Sequence, residues 1–139
     1  DLIILSMGSL YTSIIPNLLS KKIRKCLDST KAKIMYVCNM VTQPGETDDY
    51  KVSDHINTIN SYLGKHKIDI VVANTGVIDQ KIADKYSSLE QKDPVVYDED
   101  NINCKKILNN YVSVDEDLIR HNVIKLSLDI YSYLIDEDL

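Results

Sequence analysis

The apolar residues of this chain fall into two rhythms that alternate along it. Leu2, Ile3, Ile4 and Leu5 form an unbroken apolar run, as expected of a strand buried on both faces, and the run stops at Ser6, Met7, Gly8 and Ser9. From Ile14 the spacing changes. Ile14, Ile15, Leu18, Leu19, Ile23 and Leu27 recur at helical intervals, and Pro16 is compatible with a helix only in its first turn. The first unit therefore reads as strand, small-residue loop, helix.

The same unit recurs twice. Residues 33–39 carry Ile34, Met35, Tyr36, Val37 and Cys38, a second buried strand, which runs into a polar stretch with a turn signal at Pro44-Gly45. A helix is expected near Ser53, a good cap, with Ile56, Ile59 and Leu63 turned inward and Gly64 at its end. Residues 68–73 form a third strand, followed by Asn74-Thr75-Gly76 and a short helix over 79–86. Further on, residues 94–97 and 107–112 read as short strands, separated by a polar turn over 98–103. In the last helix Asn122 is the cap and Ile124, Leu128, Tyr131 and Leu134 or Ile135 are the apolar stripe.

Strands alternating with helices through short loops imply a parallel sheet. The expected fold class is α/β, a Rossmann-like three-layer sandwich with a mainly parallel sheet, and residues 1–139 form one domain. The three strand-to-helix loops around Ser9, Thr42 and Thr75 then leave the sheet at its carboxyl edge, where open α/β sheets bind ligands.

Composition narrows the function. The chain has 139 residues, 44% of them hydrophobic, enough for a single core. Its formal charge of -5 and lack of a strongly basic segment argue against a nucleic-acid surface. The absence of an apolar run of about 20 residues argues against membrane insertion. Cys26, Cys38 and Cys104 form no CxxC pair and point to packed thiols in a reducing, cytoplasmic compartment. The chain opens without Met inside an apolar run, which suggests a piece of a longer protein.

Two loops could carry chemistry. Gly8, Ser9, Leu10, Tyr11, Thr12 and Ser13 place a glycine and hydroxyls between a buried strand and a helix amino terminus, a location suited to an anion. The loop is neither a Walker loop nor GxGxxG. Thr42, Gln43, Glu46, Thr47, Asp48 and Asp49 crowd the second connection; Thr42 and Gln43 could read a base or sugar, and Asp48 a hydroxyl or a metal-bound water, or the acidic residues could simply be solvated.

The strings from Gly8 to Leu18 (Gly8-Ser9-Leu10-Tyr11-Thr12-Ser13-Ile14-Ile15-Pro16-Asn17-Leu18) and from Tyr36 to Asp48, with Asn39, Thr42, Gln43, Pro44, Gly45, Glu46 and Thr47 inside it, are similar to the signature of the gluconeogenesis factor family. Ser53-Asp54-His55 and Ile119-Arg120-His121-Asn122, the latter placed at the start of the last helix, extend the match. This family is a branch of the superfamily that also holds the 2-phospho-L-lactate transferases. The resemblance implies a cytoplasmic nucleotide-binding protein that takes a UDP-sugar, with roles in gluconeogenic growth and cell shape. It also implies a glycine-rich amino-terminal half that is absent from these residues.

On that footing the ligand-binding set is Gly8, Ser9, Leu10, Tyr11, Thr12, Ser13, Asn39, Thr42, Gln43, Glu46, Thr47, Asp48, Asn74, Tyr86 and Arg120. Arg120 would pair with a diphosphate and Tyr86 would stack on uracil. A regulatory binding protein needs no catalytic residue and no cofactor beyond its nucleotide-sugar ligand, calls for a protein partner, and is compatible with a homo-oligomer. The alternative is a transferase that moves a phospholactyl group from a guanine-nucleotide donor to a deazaflavin, with Mg²⁺ and Asp48. Three positions depart from the family pattern: Ser6-Met7 stands for Gly-Pro, Asp49 for glycine and Asn122 for aspartate.

Overall fold

A computed structural model describes residues 1–115 and 118–137. Four strands, β1 (Leu2–Leu5), β2 (Lys33–Val37), β3 (Ile70–Asn74) and β4 (Lys105–Asn109), form one parallel sheet in the order β1-β2-β3-β4. A separate antiparallel hairpin pairs β5 (Val112–Asp115) with β6 (Leu118–His121). The expected α/β class and parallel sheet are both present.

The central strands have the continuous apolar sequence that two-sided burial demands. Ile34, Met35, Tyr36 and Val37 are all buried, as are Ile70, Val71, Val72 and Ala73. Alternation divides them between two cores. Ile34, Tyr36, Cys38, Val71 and Ala73 face a cluster with Leu10, Ile14, Leu18, Ile56 and Ile59. Met35, Val37, Ile70 and Val72 face Leu126 and Tyr133. Each large side chain buried this way contributes roughly 1.5–3 kcal/mol. The result is three layers: α1 (Ile15–Leu18), α2 (Lys21–Ser29) and α3 (Val52–Tyr62) lie on one face, and α5 (Val123–Glu137) lies on the other. A fourth helix, α4 (Gln80–Glu90), follows β3.

Several local expectations are corrected. The helix expected from Ile14 through Leu27 is broken. A π-helical turn (Leu10–Ile14) leads into α1, with Pro16 in its first turn, and a new helix begins after Ser20, whose hydroxyl accepts from Ile23 N at 3.4 Å. Leu19 and Ile23, which share the helical spacing of the buried Leu18 and Leu27, are exposed. Ser53 does not cap α3. Its amide and hydroxyl both reach back from the first turn to Asp98, at 3.0 and 2.5 Å, so the cap is supplied by a residue 45 positions away. α3 ends at Tyr62, and Gly64 beyond it allows close approach: a Cβ there would lie 2.2 Å from the Asp28 carboxylate.

Residues 94–97 form no strand. They belong to a strap that crosses the carboxyl edge and is fastened by Val95 N to Met40 O (2.9 Å), Thr42 N to Asp93 O (2.8 Å) and Val52 N to Val96 O (3.0 Å). The strand expected over 107–112 is two strands, β4 and β5, and Ile119, Arg120 and His121 lie on β6 rather than at a helix start. Asn122 caps α5 as expected, its Oδ1 accepting from Lys125 N at 3.1 Å. The face it presents is not the expected one: Leu126, Ile130 and Tyr133 pack on the sheet, while Ile124, Leu128, Tyr131, Leu134 and Ile135 are exposed.

Candidate ligand-binding site

Parallel strands send every strand-to-helix loop to one edge, and the β1 and β2 loops meet there. Asn39 makes the join: its side-chain amide donates to Gly8 O at 3.0 Å. Glu46 makes a second, accepting from Ser9 Oγ at 2.7 Å. Ser9 Oγ in turn accepts from Thr12 N (3.2 Å) and Thr12 Oγ1 (2.5 Å), which closes the turn into the π-helical segment. Gly8 is tightly placed, since a Cβ there would sit 3.2 Å from Ser13 Cβ. The second loop is self-braced. Gln43 N donates to the buried Thr47 hydroxyl (2.8 Å), Gly45 N donates to Asp48 Oδ2 (2.8 Å), and Gly45 and Asp49 both adopt positive φ, 74° and 60°. At position 49 aspartate therefore holds a conformation that glycine adopts without strain.

Between these loops, the strap and β6 lies a cavity of about 290 Å³, walled by Met7, Gly8, Ser9, Asn39, Met40, Val41, Thr42, Gln43, Lys92, Ile119 and His121. A second cavity of about 570 Å³ lies on the other side of the strap, walled by the Asn74-Thr75-Gly76 turn, α4 and residues 93–97. The three loops thus share one rim, with the strap dividing it.

The remaining expected site residues are distributed around this rim. Leu10 is wholly buried in the core, and Thr12 and Ser13 are exposed on the outside of the π-helical turn. Tyr11 is partly buried, its hydroxyl 2.8 Å from that of Tyr50. The Asn74 side chain closes its own turn through Gly76 and accepts from Tyr111 N at 2.9 Å, so it braces the wall of the second cavity. Tyr86 is buried and its hydroxyl accepts from Ile119 N at 2.7 Å, tying α4 to β6. Arg120 is exposed on β6 opposite Ser113, outside the walls of both cavities.

Of the wall residues outside the expected set, two carry ionisable side chains, His121 and Lys92. His121 is brought in because β6 folds back over the edge, and its Nε2 lies 3.2 Å from Cys38 O. Burial pushes its pKa down, outweighing that carbonyl, which raises it. The only signal for it was its place beside Arg120 in the matched string. Lys92, paired with Glu90 at 2.5 Å, arrives on the strap, whose path no local pattern discloses.

A parallel sheet with a cavity cradled by its first two loops defines the class: an α/β protein of the Rossmann type with an open cavity at the carboxyl ends of its strands. The sequence profile of the family described as 2-phospho-L-lactate transferase CofD matches residues 1–115. The chain is 39% identical over 139 residues to the gluconeogenesis factor of Bacillus subtilis, covering 98% of this chain and 42% of that protein. It is 35% identical over 130 residues to the gluconeogenesis factor of Halalkalibacterium halodurans, covering 91% of this chain and 40% of that protein. A crystal structure of a UPF0052 family member from Bacillus halodurans superposes with a TM-score of 0.86 at 35% identity, over 91% of this chain and 42% of that one. The chain therefore belongs to the gluconeogenesis factor family, within the CofD-like superfamily. It spans less than half the length of these relatives.

Proposed function

We propose that the protein is a cytoplasmic regulatory protein that binds a nucleotide-sugar such as UDP-glucose or UDP-N-acetylglucosamine at this rim and passes the bound state to a protein partner, in gluconeogenic growth and cell-shape control. The observation that carries the reading is the joining of the Gly8 and Asn39 loops around one cavity at the carboxyl edge. A ligand seated there touches two loops held by different strands, so its occupancy can be transmitted to the segments those loops lead into. Binding at about 100 times the dissociation constant adds roughly 2.7 kcal/mol of stability to the full-length protein. A clear upward thermal shift with a UDP-sugar is the expected result, and no shift with any UDP-sugar refutes the reading.

The match to the transferase profile favours a second reading, an enzyme that transfers a phospholactyl group to a deazaflavin. That chemistry calls for Mg²⁺, with Asp48 as the carboxylate to hold it. Asp48 Oδ2 instead accepts from Gly45 N, and among the described residues no three His, Cys, Asp or Glu side chains gather as metal ligands do, so these residues do not by themselves fit the ion. Mg²⁺-dependent release of GMP from the activated donor, with the deazaflavin present, is the outcome that would establish the enzyme over the binding protein.

A further inference from the structure

We propose that the basic face of α2 is a docking surface for an anionic membrane, a peripheral contact in which lysines meet phosphate headgroups while Leu19 and Ile23 enter the interface. The inference stands apart from the nucleotide-sugar reading, since none of these residues walls either cavity of the rim.

The surface is first a matter of charge. Six of the chain's 16 Lys and Arg, namely Lys21, Lys22, Arg24, Lys25, Lys31 and Lys33, fall within residues 20–33, where Asp28 is the single acidic residue. The expected lack of a strongly basic segment is thereby corrected; the acidic balance of the whole chain hides this one. Lys21, Lys22, Lys25 and Lys31 are exposed. Lys33 pairs with Asp69 at 3.5 Å, but Lys21, Lys22, Arg24 and Lys25 form no ion pair among the described residues. These four wall a concavity of about 420 Å³ with Gly64 and Asp28, whose Oδ1 accepts from His66 N at 3.0 Å.

Folding does not account for the gathering. The first turn of α2 holds no acidic residue. Lys21 and Lys22 stand instead at its positive end, where the helix dipole opposes them. Four like charges on one short helix also repel one another, and an anion from outside the chain relieves both conflicts.

The apolar neighbours choose among anions. Leu19 and Ile23, at the amino end of α2, are 59% and 41% exposed. A nucleic acid would leave them in water, and residues 19–33 contain no aromatic side chain on which a base could stack. An acidic protein would need apolar side chains matched to these two. A bilayer of anionic lipid offers negative charge and an apolar layer together along its whole surface. Leu27 keeps α2 anchored in the core, so the helix meets the membrane without leaving the fold.

The test is flotation of the full-length protein with vesicles of phosphatidylglycerol and phosphatidylcholine in equal parts, against vesicles of phosphatidylcholine alone. Wild type is expected to float with the anionic vesicles only, and to be released as ionic strength rises from about 0.05 to about 0.5 M. Each lysine near an anionic surface changes partitioning about fivefold, so Lys22→Gln/Lys25→Gln is expected to lose about 25-fold. Leu19→Ser is expected to float less while keeping its dependence on salt. All three side chains are exposed, so both variants are expected to melt with wild type. An environment-sensitive fluorophore on Cys26, exposed on the same helix, gives a readout that needs no substitution: its emission is expected to shift to the blue with anionic vesicles. No flotation of wild type, equal flotation with neutral vesicles, undiminished flotation of either variant, or an unmoved emission overturns the proposal. Retention by RNA or by polyglutamate without flotation also overturns it, and assigns the same charges to a nucleic acid or an acidic protein.

Discussion

At the level of single residues, side chains with a foreseeable chemistry often do something else here, because a polar group in a packed structure takes the nearest unmet partner. Tyr86 is the clearest case. Its ring is buried and its hydroxyl is taken up by Ile119 N, the amide two residues before His121, so it acts as a strut that sets how β6 lies over the cavity. Tyr86→Phe keeps the ring and leaves the Ile119 amide without that acceptor. Denaturant unfolding is expected to show a loss of about 1–3 kcal/mol if the amide stays buried, and nearer 0.5–1 kcal/mol if water reaches it. Unchanged stability would mean that β6 is held by its other contacts alone. Ser53 shows the same displacement of roles: a hydroxyl suited to local capping is turned to Asp98, and the polar turn after the strap becomes the cap of α3.

At the level of elements, what could be read in the sequence follows from how locally each signal is generated. The three apolar runs appear as β1, β2 and β3; β2 and β3 are buried on both faces as their continuous runs imply, whereas β1, at the edge of the sheet, is only half-buried and leaves Ile4 exposed, contrary to the two-sided burial expected of it. The loops between the runs were legible with them, and so was the rim they share. The break between α1 and α2 was not, since Leu19 and Ile23 keep helical spacing across a capped restart at Ser20. Nor was the strap, whose bonds go to Met40, Thr42 and Val52, all about 40 or more residues away. α5 explains the most instructive miss. It carries two apolar stripes, Leu126, Ile130 and Tyr133 on one side and Ile124, Leu128 and Tyr131 on the other, and periodicity cannot choose between faces that are both apolar. Within this chain the choice has an energetic signature. Leu126→Ala is expected to cost about 2–5 kcal/mol, as emptying a core position does, while Leu128→Ala, at 58% exposure, stays within about 0.5 kcal/mol. Equal losses from the two substitutions, measured on residues 1–139, would place the second stripe in a core as well.

For the molecule as a whole, the layer between sheet and helices contains one group whose protonation the fold resists. His55 is fully buried on α3, stacked on Tyr36 with centroids 6.4 Å apart and met edge-on by Tyr50 at 5.4 Å. Its Nδ1 donates to Lys51 O at 3.0 Å, while Nε2 is enclosed with no partner, so a second proton would have no acceptor. Burial accordingly pushes its pKa below the ordinary 6.5, outweighing the Lys51 carbonyl and Asp54, which favour the cation. His121 is shifted in the same direction by the same cause. The sign follows from linkage. Below pH 6.5 the unfolded chain takes up protons at these imidazoles that the folded chain refuses, so stability is complete above 6.5 and declines as pH falls toward the folded values. Asp69 and Asp98 act at lower pH. Burial alone would raise both, but hydrogen bonds from Ile34 N and His66 to Asp69, and from Ser53 to Asp98, hold them below 3.8, so their contribution is present above that value and is lost as pH falls from it through their lower folded values. The acid side of the stability profile should therefore descend in two stages, the first starting just below pH 6.5. His55→Phe retains an aromatic ring between Tyr36 and Tyr50 and removes the titrating nitrogen. Its melting temperature should fall less than wild type between about pH 7 and pH 5, leaving the His121 share and the lower carboxylate stage in place. Parallel melting curves for variant and wild type across that interval would show that the buried ring of α3 does not govern the first stage.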